Sequence, residues 1–306
     1  MEIKLTTENL DGIYPPLVTP FDDKDEVDYE LFSKEIEYHL TYDIKGLVVG
    51  GSTGEGYSLS DDELSNLCET AIKKVNNKIP IIAGIITNST KDSVRKSLIA
   101  KERGVTGLMI TPLHYFSTNK ISSFNYYKDI SDKVKLPIII YNVVTNNPLK
   151  VDTLESIAAI ENVIGIKKSI GDGSNSPDGQ VVVLADLINK IGHKVSILSS
   201  YDPVIYPGLV LGARGSIGAI NTILPQESVE IYRCTREQNH EDALKIFKKM
   251  FSVSRLLKKD NWPSWVKSCI NIQKDRQVGY ARKPMLPLKD KEIIEIKEVM
   301  NKVEII

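Results

Sequence analysis

Cysteine and histidine are both scarce in this 306-residue chain, with three of the first and four of the second. Cys68, Cys234 and Cys269 are odd in number, far apart and without metal-ligand spacing, so a disulfide framework and a cysteine-rich zinc site are excluded and reduced core thiols are expected. His39, His114, His193 and His240 do not cluster in sequence, which leaves a histidine metal site without support. An excess of one charge is also missing: 39 Lys and Arg stand against 40 Asp and Glu, a net charge of -1. There is therefore no global electrostatic footprint for nucleic acid or an anionic membrane, and a small, locally recognised ligand is the expected partner. No apolar run approaches the ~20 residues that cross a bilayer. The opening MEIKLTTENLDGIY lacks the basic-then-apolar order of a secretory signal, so the expected location is cytoplasmic. Gly/Ser-rich and Pro-rich linkers are absent too, and independently moving parts are not expected.

What the chain has is alternation. Short β-type runs at 12–18, 46–50, 80–86, 107–111, 137–143, 163–167, 195–199 and 215–220 are each followed by a helical pattern. The helices fall near 28–42, 61–75, 91–103, 121–134, 153–160, 180–191, 203–211 and 225–237, the second opened by a capping-box spacing at Ser60 and Glu63. Eight such units describe a closed (β/α)8 TIM barrel more economically than an open doubly wound sheet. The open sheet would want a Gly-rich nucleotide loop where Thr19-Pro20-Phe21-Asp22 stands. Beyond residue 238 the strand signal stops, and 240–259, 263–272 and 290–302 read as helices. The expected division is a catalytic barrel over 1–237 and a C-terminal helical extension over 238–306.

The sixth strand ends in Gly165-Ile166-Lys167-Lys168-Ser169, which places lysine where an apolar strand should finish. Burial lowers a lysine's pKa, and a free amine can attack a carbonyl to give a Schiff base, an electron sink for cleaving or forming the neighbouring bond of a 2-oxo acid. The plain alternative is a solvated loop start, where lysines are common. Parity separates the two amines: Gly165 and Lys167 share one face, and Ile164, Ile166 and Lys168 the other. With the isoleucines toward the helices, Lys167 is the inward amine.

Active sites of (β/α)8 barrels lie at the C-terminal ends of the strands. After the second strand, Gly50-Gly51-Ser52-Thr53-Gly54-Glu55-Gly56 can turn backbone N–H groups and two hydroxyls toward a carboxylate, or can be an ordinary turn. The fifth strand runs into Tyr141-Asn142, a phenol that can carry a proton or simply pack. After the fourth comes Thr111-Pro112-Leu113-His114-Tyr115-Phe116, with further groups for a proton relay.

Taken together, Thr-Pro-Phe, Gly-Ser-Thr-Gly-Glu, Tyr-Asn and Gly-Ile-Lys, after the first, second, fifth and sixth strands, resemble the dihydrodipicolinate synthase/N-acetylneuraminate lyase family of pyruvate-dependent class I aldolases. The resemblance covers about the entire chain. It implies that Lys167 is the Schiff-base lysine and Tyr141 the proton-transferring phenol. It implies further that Ser52 and Thr53 engage the substrate carboxylate, with Ser52 also in the relay, and that Ile217 offers a backbone carbonyl near the lysine. His114 or Tyr115 stands where the synthases commonly use a relay tyrosine from across a subunit interface, and a homotetramer or homodimer is implied.

Two departures narrow this. The tyrosine loop of the synthases usually continues through proline to an arginine that grips a carboxylate; here it reads Val143-Val144-Thr145-Asn146-Asn147. Asn146 and Asn147 either bond sugar hydroxyls or make turns, and Ser199, Ser200, Tyr201, Asp202 and Asn221 offer further polar contacts. The expected activity is a metal-free, cofactor-free lyase cleaving a 2-keto-3-deoxy sugar acid. The alternatives are a dehydratase of a related acid, a dihydrodipicolinate synthase, and a non-catalytic protein that binds 2-oxo acids.

Overall fold

A computed structural model describes residues 3–168, 179–200, 202–258 and 260–306; Ser169 and Tyr201 lie outside these residues. Among the described residues eight parallel strands form one sheet: β1 (Gly12–Ile13), β2 (Leu47–Val49), β3 (Ile81–Ile85), β4 (Gly107–Ile110), β5 (Ile138–Asn142), β6 (Val163–Lys168), β7 (Ser196–Ser199) and β8 (Gly215–Ser216). From β2 to β8 each strand pairs with its neighbours in sequence, and β1 pairs with β8. The gap between β1 and β2 is bridged by Lys45 N to Ile13 O (2.9 Å), Val48 N to Pro15 O (3.0 Å) and Leu17 N to Val48 O (2.9 Å). The sheet is thus a closed (β/α)8 barrel. Pro15 and Pro16 have no amide hydrogen to give, which is why β1 is shorter than the apolar run suggests.

Eight helices follow the strands in the barrel. They are α1 (Tyr29–His39), α2 (Asp61–Val75), α3 (Thr90–Glu102), α4 (Lys120–Val134), α5 (Val151–Ile157), α6 (Gly179–Ile191), α7 (Ile205–Val210) and α8 (Ala219–Ile223). The Ser60–Glu63 capping box is formed in both directions, at 3.1 and 2.8 Å. α8 departs from the sequence reading, which continues the eighth strand to residue 220. Asp202 Oδ1 accepts a hydrogen bond from the Ile220 amide (3.2 Å) and so caps a helix there. The chain turns at Gly218, where a Cβ would lie 2.3 Å from the same oxygen.

Two apolar layers result from strand alternation. Val48, Ile82, Met109, Ile139, Leu198 and Ile217 fill the barrel, and Leu5, Leu10 and Tyr14 pack into the same interior cluster. Leu47, Val49, Ile81, Ala83, Leu108, Ile140 and Ile166 face the helices. Gly165 points inward as parity requires, and its missing side chain admits Leu10, whose Cδ2 would lie 2.5 Å from a Cβ. Alternation fails at one residue. A register shift between Ile138 and Ile139 pairs Val163 with the first and Gly165 with the second, so Ile164 is extra and packs in the interior cluster rather than with Ile166.

Beyond the barrel, α9 (Pro225–Arg236), α10 (His240–Ser254), α11 (Trp262–Asn271) and α12 (Asp290–Lys302) follow. Trp265, Val266, Ile270, Ile296 and Met300 share one buried cluster with Ile231 of α9 and with Ile205, Leu209 and Ile220 of the last barrel units. The C-terminal helices are therefore packed continuously onto the barrel.

Candidate active site

Strand register sets the centre of the site. Tyr141 on β5 lies directly opposite Lys167 on β6, so two inward side chains meet at the C-terminal end of the barrel. The Lys167 Nζ stands 3.6 Å from the centroid of the Tyr141 ring, and the two residues are 3% and 5% exposed. Burial pushes the Lys167 ammonium down to about 7, against the opposing pull of the Asp202 carboxylate. Asp202 is pushed up to about 6, chiefly by burial, while the Ile220 amide and Lys167 hold it down. An amine poised near neutrality in an apolar barrel can add to a carbonyl without base assistance.

Lys168, paired with Asn142 and Ser199 across its neighbours, points into the layer between barrel and helices and is 3% exposed. It is therefore not solvated. Parity places it outside the reacting space.

The Ser52–Thr53 loop forms one side of the mouth. Glu55 N bonds Ser52 O (3.1 Å) and Gly56 N bonds Gly51 O (3.0 Å), folding the loop into a tight turn. Gly56 has to be glycine, because a Cβ would lie 1.7 Å from Gly50 O. Thr53 is buried and Ser52 half-buried. Ser52, Thr111, His114, Val143 and Asn146 line a cavity of about 450 Å³, completed by Tyr57, Ile86, Val144 and Thr145. The hydroxyl of Thr111, 1% exposed, has no hydrogen-bond partner among the described residues. Among those residues no lysine, arginine or carboxylate lines this space.

His114 is exposed at the rim. Its Nε2 lies 2.6 Å from the Asn88 amide nitrogen, while Asn88 Oδ1 accepts the His114 and Tyr115 amides at 3.0 and 2.9 Å. Tyr115 is 71% exposed and packs edge-on against Phe116, 75% exposed, with centroids 4.8 Å apart. It does not line the cavity. Asn146 gives its amide hydrogens to His114 O (2.8 Å) and Tyr115 O (3.1 Å), tying the two loops together while still lining the cavity. Asn147 is buried and bonded to Leu113 O and the Thr118 amide, a structural use. Asn142 likewise clasps Leu149 through both ends of its side-chain amide. Asn221 is buried and donates to Ser216 Oγ (3.1 Å). Ile217 is fully buried, its amide bonded to Ser199 O (3.0 Å).

Three groups of the site have little or no signal in the sequence. Tyr57, just past the Gly50–Gly56 turn, and Ile86, at the end of the third β-type run, line the cavity although neither residue is marked by its type. Asp202 is one of several polar residues after the seventh strand, and nothing local marks it as the carboxylate that acts on Lys167. Among the described residues no group of three His, Cys, Asp or Glu side chains is placed to hold a metal ion, and no helix is long and apolar enough to cross a membrane.

A closed (β/α)8 barrel with a buried near-neutral lysine, a facing phenol and a hydroxyl-bearing loop at its mouth defines a lyase of the pyruvate-dependent aldolase type. The sequence profile of the Dihydrodipicolinate synthetase family matches residues 9–303. The chain belongs to that family. A 4-hydroxy-tetrahydrodipicolinate synthase of Oceanobacillus iheyensis is 27% identical over 298 residues, 97% of this chain and 98% of the relative. Another, from Caldicellulosiruptor bescii, is 31% identical over 283 residues, 91% and 92% of the two chains. Among solved structures, the chloride-inhibited dihydrodipicolinate synthase of Acinetobacter baumannii complexed with pyruvate has a TM-score of 0.90 at 26% identity, covering 97% of this chain and 100% of that one.

Proposed function

We propose that this enzyme forms a Schiff base between Lys167 and a pyruvate-type 2-oxo acid and uses it to cleave a 2-keto-3-deoxy sugar acid. The observation that carries the reading is the Lys167 amine, buried, near neutrality and packed on Tyr141. In the cleavage direction the amine adds to the C2 carbonyl and water leaves, giving a protonated imine. Tyr141, with Ser52 and either His114 or, from across a subunit interface, Tyr115 as relay, takes the proton of the C4 hydroxyl. The C3–C4 bond breaks, its electron pair enters the imine as an enamine, and an aldehyde departs. Protonation at C3 and hydrolysis of the imine release pyruvate and restore the amine. Ser52 and Thr53 hold the carboxylate, and Ile217 contributes its backbone carbonyl beside the lysine.

The nature of the cavity supports a polyhydroxylated, uncharged distal chain. Ser52, Thr111, Thr145 and Asn146 offer hydroxyl and amide groups, and among the described residues no lysine or arginine lines it. A second reading, dihydrodipicolinate synthesis, is favoured by the names of the relatives at 27% and 31% identity. The absence of a carboxylate-gripping arginine from Val143–Asn147 weighs against it, because a buried carboxylate without a cationic partner binds poorly. The exposed pair Tyr115 and Phe116, with Ile121 at 72% exposure, supports a homo-oligomer that covers this rim.

Borohydride reduction with pyruvate, followed by peptide mapping, tests the imine: an adduct on Lys167 is expected, and its absence defeats the proposal in favour of a binding protein without turnover. A panel of 2-keto-3-deoxy acids, scored for released pyruvate and for dehydrated products, tests the reaction. Dehydrated product without pyruvate would make the enzyme a dehydratase. Efficient condensation of aspartate semialdehyde with pyruvate would establish the synthase.

A further inference from the structure

The C-terminal helices contribute one buried charge that the reaction does not use. Lys267 on α11 is 2% exposed and runs under the barrel mouth, with its Nζ 2.7 Å from Glu55 Oε1. Glu55 is fully buried, two residues beyond Thr53, and its backbone adopts a left-handed φ of 54° that a non-glycine residue rarely takes. Its other oxygen, Oε2, accepts the Arg282 amide at 3.0 Å. Lys267 also donates to Thr19 O (2.6 Å) and to Tyr280 O. Thr19 in turn donates its hydroxyl to Gly54 O (2.6 Å). Gly54 and Glu55 are therefore both gripped by a chain of bonds that starts at Lys267 and passes through the Thr-Pro-Phe segment after β1.

We propose that Lys267 is a positioning residue for the 2-oxo acid's carboxylate: through Glu55 and Thr19 it holds the Ser52–Thr53 turn in its binding shape, so the C-terminal extension sets the affinity for the keto acid. This rests on the reading of Ser52 and Thr53 as the carboxylate contacts. The turn is strained at Glu55 and lies outside the strand ladder, so its shape depends on what grips it. A buried carboxylate is a sound anchor only while it is paired, and Lys267 is the cation in contact with it. The groups facing Lys267 are the Glu55 and Asp25 carboxylates, the Arg282 guanidinium and the face of Phe21, 4.6 Å from Nζ to ring centroid. Burial lowers the Lys267 ammonium to about 8 against the pull of Glu55, and the positive charge of the clamp is lost as pH rises past that point.

The test is pyruvate trapping at Lys167 by borohydride, measured as half-saturating pyruvate and as rate at saturation. Lys267→Met alone leaves Glu55 buried without its partner and can fail to fold, so it is compared with the double variant Lys267→Met/Glu55→Gln, which removes both charges and keeps the volume. The folded double variant is expected to need at least tenfold more pyruvate while its saturated rate stays within about twofold of the wild type. In the wild type, half-saturating pyruvate should rise between pH 8 and 9.5, and in the double variant it should be flat there. A folded double variant with wild-type half-saturation overturns the proposal, and so does a flat wild-type profile, which decides the matter even if neither variant folds. Failure of the Schiff-base reading is distinct: no adduct then forms at Lys167 in the wild type at any pyruvate concentration.

Discussion

Replacing Asp202 by asparagine should make the enzyme a better amine donor in mildly acidic solution. The Lys167 ammonium is lowered to about 7 by burial, and the Asp202 carboxylate is the charge that opposes this. At pH 7 about half of the Lys167 side chains are then free amine, against roughly one in 2,500 for an ordinary lysine. Burial therefore raises the reactive fraction about a thousandfold. The Asp202→Asn variant keeps the size of the side chain and loses the charge, so the ammonium loses that electrostatic support and gives up its proton more readily. Opposite charges at such sites shift titration by about one pH unit or more. At pH 6, where Asp202 is itself about half protonated, the asparagine variant should form the borohydride-trapped pyruvate adduct up to about twice as fast as the wild type, with the two rates converging above pH 8. The assay is the initial rate of adduct formation at saturating pyruvate from pH 5 to 9. A variant slower than the wild type at pH 6, or a wild-type rate still climbing steeply beyond pH 9, would refute the argument that burial and Asp202 set the availability of the amine.

Lys167→Met should abolish adduct formation and also stabilise the protein. Because its pKa is depressed on folding, the buried lysine imposes a cost, up to about 5 kcal/mol, that is fully present below pH 7 and relieved as pH rises toward the unfolded value; denaturant titrations at pH 6 and pH 9 should show the larger gain at pH 6. Tyr141→Phe should lower turnover by about 10² to 10⁴ while pyruvate still reaches Lys167, checked by steady-state kinetics beside trapping. Asn146→Arg should increase condensation of pyruvate with aspartate semialdehyde by supplying a carboxylate clamp, read from product analysis. Gly215→Ala should destabilise the barrel by about 3 kcal/mol, since its Cβ would lie 2.0 Å from Gly12 O at the β1–β8 closure, and thermal unfolding would report it.

The alternation of β-type runs and helical patterns is written in local sequence, because strand and helix periods differ and each unit carries its own turn and capping signals. That is why the eight strands, the Ser60–Glu63 cap and the inward direction of Lys167 are legible without the structure. The departures from that reading have long-range causes. The extra residue at Ile164 reflects how β6 registers on β5, and α8 exists because a carboxylate 18 residues away accepts the Ile220 amide.

The site divides in the same way. Lys167, Tyr141, Ser52 and Thr53 are legible because they end strands or begin loops whose residue types are unusual for their positions. The pairing of Lys167 with Tyr141, the influence of Asp202 on the amine and the grip of Lys267 on Glu55 join residues 26, 35 and 212 positions apart. By itself the sequence determined the barrel, its direction and which amine faces inward, since those follow from periods of two and 3.6 residues. Only the tertiary structure decided how acidic that amine is, which residues line the cavity beyond it and which distant charge pairs with Glu55, because burial and electrostatic pairing are properties of packed neighbours and not of neighbours in the chain.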